Sequence, residues 1–333
     1  MNDVINLIRT RYLENSKPKR RNDNFKLGLV IEGGSMRGIV STGMASALHI
    51  LGLKDTFDAV YGASAGALTG SFFITDMIPL GPGIYYEELT SKRFINLFRA
   101  ITNDYVMNLD HLIKYVLQGT KPLNWRGVME SDIPLNIVVS SVNERKEKVY
   151  NRFKSKEDVF TLLKASANIP FIAGPPIPFE DDLFLDASIY ESIPVNSAQT
   201  DGCTHVLVLM SKPFGQLRDK LSFFEKVFIL PKLRKLKGGM DDDYSAQIEK
   251  YNNLITILIQ NNLTCNSGFS TYSICPDSND KIVKRLEKNP LKLREGAISG
   301  MKAVFKTFCD HSDQISFFDT IYPIIDGAIP KPT

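Results

Sequence analysis

Asp58-Ala59-Val60-Tyr61-Gly62-Ala63-Ser64-Ala65-Gly66-Ala67-Leu68 is the stretch on which the reading of this chain turns. A short apolar run ends at Tyr61, a Gly-x-Ser-x-Gly turn follows, and small helix-forming residues continue through Phe73. A sharp strand-to-helix turn forces its central residue into a strained backbone region, so Gly62 and Gly66 stand where a side chain would collide. The turn lifts the Ser64 hydroxyl clear of its neighbours. It also aims the first free amides of the following helix, which Ala65 opens, at whatever bonds to that hydroxyl. The spacing predicts a nucleophile elbow.

A second turn precedes it. Lys26-Leu27-Gly28-Leu29-Val30-Ile31 is a continuous apolar run, the pattern of a strand buried on both faces of a parallel sheet. It leads into Glu32-Gly33-Gly34-Ser35-Met36-Arg37-Gly38, with a helix expected over 39–51. A glycine-rich turn in that place offers backbone N–H groups to an anion. A P-loop phosphate would need Lys-Ser/Thr after Gly38, and a dinucleotide pyrophosphate would need glycine where Ser35 stands. The third anion, the oxyanion of an acyl-transfer intermediate, needs only two or three convergent N–H groups. The elbow lies one helix and one strand later, the spacing of a single βαβ unit, which brings both turns to the same edge of the sheet.

The remaining chain reads as one large α/β domain: 333 residues, 43% hydrophobic and 23% charged, with no linker-like stretch dividing it and no internal repeat. Residues 1–25 are expected to form a basic N-terminal arm, mobile in solvent, in which 3–14 can make a short amphipathic helix before Lys17-Pro18-Lys19-Arg20-Arg21. Residues 26–210 would form the catalytic core and 211–333 a helical elaboration of the same domain with one further strand. The scattered Cys203, Cys265, Cys275 and Cys309 read as reduced thiols of an intracellular protein. No run approaches the roughly 18 apolar residues of a membrane span, and no signal-peptide stretch opens the chain. These features predict a cytoplasmic protein, at most peripheral to a membrane. A net charge of +3 gives no reason to expect nucleic acid as a partner.

Two further stretches carry chemistry. Asp186 directly follows the apolar run Leu183-Phe184-Leu185, as a carboxylate held rigidly at a strand end would; a turn or helix-cap aspartate has the same pattern. Between residues 212 and 237 eight basic side chains stand against Asp219 and Glu225, interleaved with Phe223, Phe224 and Phe228. That segment suits peripheral contact with an anionic membrane, or equally an amphipathic helix whose aromatics face the core.

Taken together, these residues resemble the patatin-like phospholipase family, in layout the bacterial branch. Gly33-Gly34-Ser35-Met36-Arg37-Gly38 resembles its oxyanion loop and Gly62-Ala63-Ser64-Ala65-Gly66 its elbow. Ala165-Ser166-Ala167-Asn168-Ile169-Pro170 and Leu185-Asp186-Ala187-Ser188 resemble its third and fourth motifs. The resemblance runs over roughly residues 26–300. It implies a three-layer α/β fold, with a mostly parallel central sheet flanked by helices. It also implies a calcium-independent lipid acyl hydrolase with Ser64 as nucleophile and Asp186 as base. In that reading the Gly33, Gly34, Ser35 and Met36 loop faces the oxyanion, Arg37 and Gly38 support it, and no metal or cofactor takes part. Its substrate would be a phospholipid or other acyl lipid. Ser35 and Ala187 stand where the family has glycine. Two alternatives follow from the same residues: a lipid-binding or regulatory protein whose site those two changes disable, or a triad of Ser64, Asp186 and either His205 or His311.

Overall fold

Among the described residues eight strands form one sheet: β1 (Leu27–Ile31), β2 (Ala59–Ala63), β3 (Leu135–Ser141), β4 (Glu147–Tyr150), β5 (Ile177–Phe179), β6 (Asp182–Leu185), β7 (His205–Leu209) and β8 (Ser270–Ile274). The structure is a computed structural model that describes residues 2–100, 102, 104–263 and 268–309. The strand order is β5-β6-β3-β2-β1-β7-β8, with β4 also paired to β3. From β3 to β8 the strands run parallel; β4, β5 and β6 add an antiparallel edge.

Alternation along the central strands makes the three layers. Leu27, Leu29 and Ile31 of β1 pack on one face with Val40, Met44 and Leu48 of the helix Gly38–Ile50, which follows the 3-10 turn Ser35–Arg37. Val30, with Tyr61, Val206 and Val208, packs on the opposite face with Tyr251, Ile255 and Leu258 of the long helix Met240–Leu263. Both faces of the sheet are thus covered, which is why its strands are apolar without a polar side. The helix Pro290–Phe308 crosses the helix Gly38–Ile50 with almost no gap. A methyl on Gly43 would lie 2.1 Å from the Ala297 carbonyl oxygen, and one on Gly300 would lie 2.0 Å from that of Val40. The C-terminal region is therefore built into the core.

Residues 1–25, expected from sequence to form a mobile arm, are instead held by burial and charge over the described residues 2–25. Val4, Ile5, Leu7 and Ile8 of the first helix (Asp3–Leu13) lie in the main core. Its Arg11 is buried, donating to both Asp23 oxygens at 2.9 and 2.7 Å and to Asp58 Oδ2 at 2.7 Å. Arg21 reaches the other oxygen of Asp58 at 2.7 Å. Basic residues that look like a free polycation in the sequence are tethered by carboxylates elsewhere in the chain.

Among the described residues no helix is long and apolar enough to cross a membrane, and no group of His, Cys, Asp or Glu is arranged to hold a metal ion. Cys203 and Cys275 are free thiols, and Cys265 lies outside the described residues.

Candidate active site

Ser64 sits in the turn between β2 and the helix Ala65–Ile74 with φ 55° and ψ −123°, a left-handed conformation that L residues avoid. Neighbouring glycines permit it. A methyl on Gly62 would lie 2.4 Å from Ala67 Cα, and one on Gly66 would lie 2.2 Å from the Ile31 carbonyl oxygen of β1. Neither position admits a side chain. The Ser64 amide donates to Ser166 Oγ at 2.8 Å, and that hydroxyl donates onward to the Val138 carbonyl at 2.6 Å. Ser166, which the sequence shows only as part of a small-residue stretch, therefore ties the elbow to β3.

The next residues of that stretch position the carboxylate. The Asp186 amide donates to the Asn168 carbonyl at 2.9 Å, and Asp186 Oδ1 accepts from the Ser188 amide at 2.8 Å. The antiparallel register, Leu185 opposite Ser140, turns the end of β6 back toward Ala63, which pairs with Val138. Asp186 is 1% exposed, and its Oδ2 accepts no hydrogen bond from the described residues. Burial pushes this carboxyl above the usual carboxylate range, against the pull of Ser188, the Ser64 hydroxyl and the charge of Arg285. No hydrogen bond of standard geometry joins the Ser64 hydroxyl to Asp186 Oδ2, a looseness that catalytic pairs often show before substrate binds. Ala187 is buried at negative φ, so alanine fits there without strain.

The glycine-rich loop lies against the same turn. A methyl on Gly33 would stand 2.8 Å from the Ala63 carbonyl oxygen and 3.0 Å from Ser64 Cβ. Two of the four loop amides are already committed: Gly33 N–H donates to the Ser192 carbonyl and Met36 N–H to the Arg285 carbonyl, both at 3.1 Å. The N–H groups of Gly34 and Ser35 make no hydrogen bond among the described residues. Behind the loop Arg37 is buried and donates through Nε to Ser211 Oγ at 2.9 Å. Ser211 in turn donates through both its amide and its hydroxyl to Glu32 Oε2 at 2.6 Å, and the Tyr251 hydroxyl donates to Glu32 Oε1 at 2.9 Å. Glu32, Ser211 and Tyr251, absent from the sequence reading of the site, brace the loop from three elements.

Ser35 has φ 52°, where serine costs roughly 1 kcal/mol relative to glycine. Its hydroxyl reaches only Met107 Sδ, at 3.8 Å. We expect Ser35→Gly to keep or raise kcat, because the amide survives and its backbone relaxes. A hundredfold loss in steady-state kinetics would mean that the hydroxyl itself takes part.

Two cavities meet at Ser64. One is lined by Leu68, Leu89, Phe94, Met107, Leu112 and Leu163 among other apolar groups. The other is more polar and is lined by Glu32, Arg37, Asp186, Lys212, Arg218 and Arg285 among others. Ser35, Ser64 and Ile169 line both.

His205 stands at the far end of the sheet. It pairs with Leu27 at the start of β1, whereas Leu209 pairs with Ile31, the residue before the loop. Four steps of parallel strand, on the order of 13 Å, separate those ends. His205 instead bonds to Thr204 Oγ1 at 2.9 Å and packs edge-on against Phe25. His311 lies outside the described residues.

With this geometry established, known proteins can be compared. Relatives include the Escherichia coli protein YjjU, 24% identical over 56% of this chain and 52% of the relative. A mouse protein named 1-acylglycerol-3-phosphate O-acyltransferase Pnpla3 is 28% identical over 46% of this chain and 35% of its own length. The chain thus spans about half or less of the curated relatives it matches. Among solved structures, VipD from Legionella pneumophila aligns with a TM-score of 0.43 at 13% identity, covering 89% of this chain and 73% of VipD. The Patatin-like phospholipase family matches residues 29–198, just over half the sequence and both turns of the site, and the chain belongs to that family.

Proposed function

We propose that the protein is a lipid acyl hydrolase working through a Ser64–Asp186 dyad and an acyl-serine intermediate. One observation carries this reading: a strained, glycine-framed serine and a buried carboxylate with an unpartnered oxygen stand where an apolar and a polar cavity meet. Asp186 takes the hydroxyl proton as Ser64 Oγ attacks the acyl carbonyl carbon. The Gly34 and Ser35 amides receive the resulting oxyanion, each donor worth about 3–4 kcal/mol. As the ester C–O bond breaks, Asp186 returns the proton to the departing alkoxide; water then releases the fatty acid by the same steps. The apolar cavity suits the acyl chain and the polar one the leaving group. Mass-spectrometric product analysis over phospholipids, lysophospholipids and glycerides tests this. Fatty acid released from at least one class supports it; a folded protein releasing none from any class contradicts it.

The same reading places the protein at a lipid surface. Phe223, Phe224 and Phe228 are 79%, 47% and 49% exposed, while Ile229 and Leu233 turn inward. The aromatics therefore do not fill the core. Lys220, Lys226, Lys235 and Lys237 are exposed beside them and form no ion pair among the described residues, whereas Arg234 is held by Asp241 at 2.6 Å. The segment also contributes Lys212 and Arg218 to the polar cavity, so this face adjoins the site. Each free lysine near an anionic surface is worth roughly 1 kcal/mol, screened by salt. Replacing those four lysines with glutamine should weaken binding to phosphatidylserine vesicles at least tenfold in co-sedimentation. Unchanged binding would remove the segment from the membrane account.

A further inference from the structure

The polar cavity beside Ser64 has a charge pattern that neither a zwitterionic nor a neutral leaving group matches. Four cations line it: Arg37, Lys212, Arg218 and Arg285. Of the two carboxylates there, Glu32 has both oxygens occupied by Ser211 and Tyr251, and Asp186 belongs to the reaction. Arg218 is partly balanced by Glu225, at 3.4 Å. Lys212 has no ion pair among the described residues; its ammonium lies 5.1 Å from the Tyr251 ring centre. Arg285 has no side-chain partner there either, and only its carbonyl is engaged, by Met36 N–H. Burial and the nearby Arg37 charge pull the Lys212 ammonium down to about 8. Four cations in a partly dry cleft outnumber the carboxylates beside them, Glu32, Asp186 and Glu225, and Lys212 and Arg285 are left without an ion pair among the described residues, which makes an anion-binding site.

We propose that this cavity is a phosphate subsite that selects acyl esters whose leaving group carries a phosphomonoester. The inference rests on the acyl-hydrolase reading and gives it a substrate class. A phosphomonoester brings a charge near −2 and three acceptor oxygens to Lys212, Arg285 and the free nitrogens of Arg37. A phosphocholine group would bring a quaternary ammonium among these cations, and a glyceride would bring no charge to neutralise them. The acyl chain enters the apolar cavity, which also reaches Ser64, so the scissile ester lies between its two anchors.

The test compares 1-oleoylglycerol 3-phosphate, 1-oleoylglycero-3-phosphocholine and monoolein, each supplied below its aggregation threshold to the full chain. The expected kcat/KM is at least tenfold higher for the phosphomonoester. Lys212→Gln combined with Arg285→Gln should lower its ratio to monoolein at least tenfold. Arg285→Gln alone serves if the pair does not fold, since that side chain is exposed and the Met36 bond uses its backbone. Equal kcat/KM on all three esters, or an equal loss on all three in the variant, overturns the subsite while the hydrolase reading stands. Calorimetry with glycerol 3-phosphate on the Ser64→Ala protein asks the question without turnover. Binding that weakens tenfold in the charge variant supports the subsite even if no ester is cleaved, an outcome that would sink the hydrolase reading alone. No binding to the parent protein overturns it. Inorganic phosphate binding equally well would assign the affinity to the phosphate group; weaker binding would assign part of it to the glycerol backbone.

Discussion

Ser64→Ala is expected to lower kcat/KM for ester hydrolysis by about four orders of magnitude or more, with the fold intact. The expectation follows from position. Ser64 occupies a backbone conformation sustained by Gly62 and Gly66, which other parts of the chain approach too closely for any side chain. The elbow's anchoring bond uses the Ser64 amide, which alanine keeps. Removing the hydroxyl therefore takes away the reacting atom and leaves the packing. The variant should melt within a few degrees of the parent. Purified Ser64→Ala with parental activity would remove the acyl-serine step from the account.

Asp186→Asn should lower kcat by roughly 10²–10⁴-fold, the span of a positioned general base, and should make the protein more stable at neutral pH. The second effect comes from burial, which raises the carboxyl above its ordinary range. The folded state then holds a proton that the unfolded state has released, so stability falls as pH rises from about 4 toward the raised folded value. Asparagine does not titrate. The variant's gain in melting temperature should be clear at pH 8 and vanish below about pH 4. The parent's activity should rise along the opposite course, as Asp186 loses its proton, and this acid limb should be missing in the variant. A fully active Asp186→Asn enzyme, or one less stable than the parent at pH 8, would contradict the assignment.

The sheet and its two turns were legible because their constraints are local. Gly62 and Gly66 show in the sequence since a side chain would strike backbone within or beside the turn, and β1 shows because both its faces are covered. What surrounds the turns was not legible, because distant segments supply it. Ser166 looks like one small residue among several until its hydroxyl is found between the Ser64 amide and Val138. Arg285 reaches the site from far along the chain, and Ser211 and Tyr251 meet Glu32 beside the loop from segments that spacing cannot pair with it. The N-terminal segment misled for the same reason: its charges look solvated until Asp23 and Asp58 are seen around Arg11. The aromatics of 223–228 had two readings in sequence, and their exposure removes the core-facing one.

The central claim is that acyl transfer passes through the hydroxyl of Ser64. Peptide mapping by mass spectrometry after treatment with a long-chain alkyl fluorophosphonate tests it most directly. The account predicts one phosphonyl group per chain on the peptide containing Ser64, loss of ester hydrolysis in step with labelling, and no label in Ser64→Ala. Label at a different residue accompanying the loss of activity, or full hydrolysis by protein fully labelled at Ser64, would contradict it.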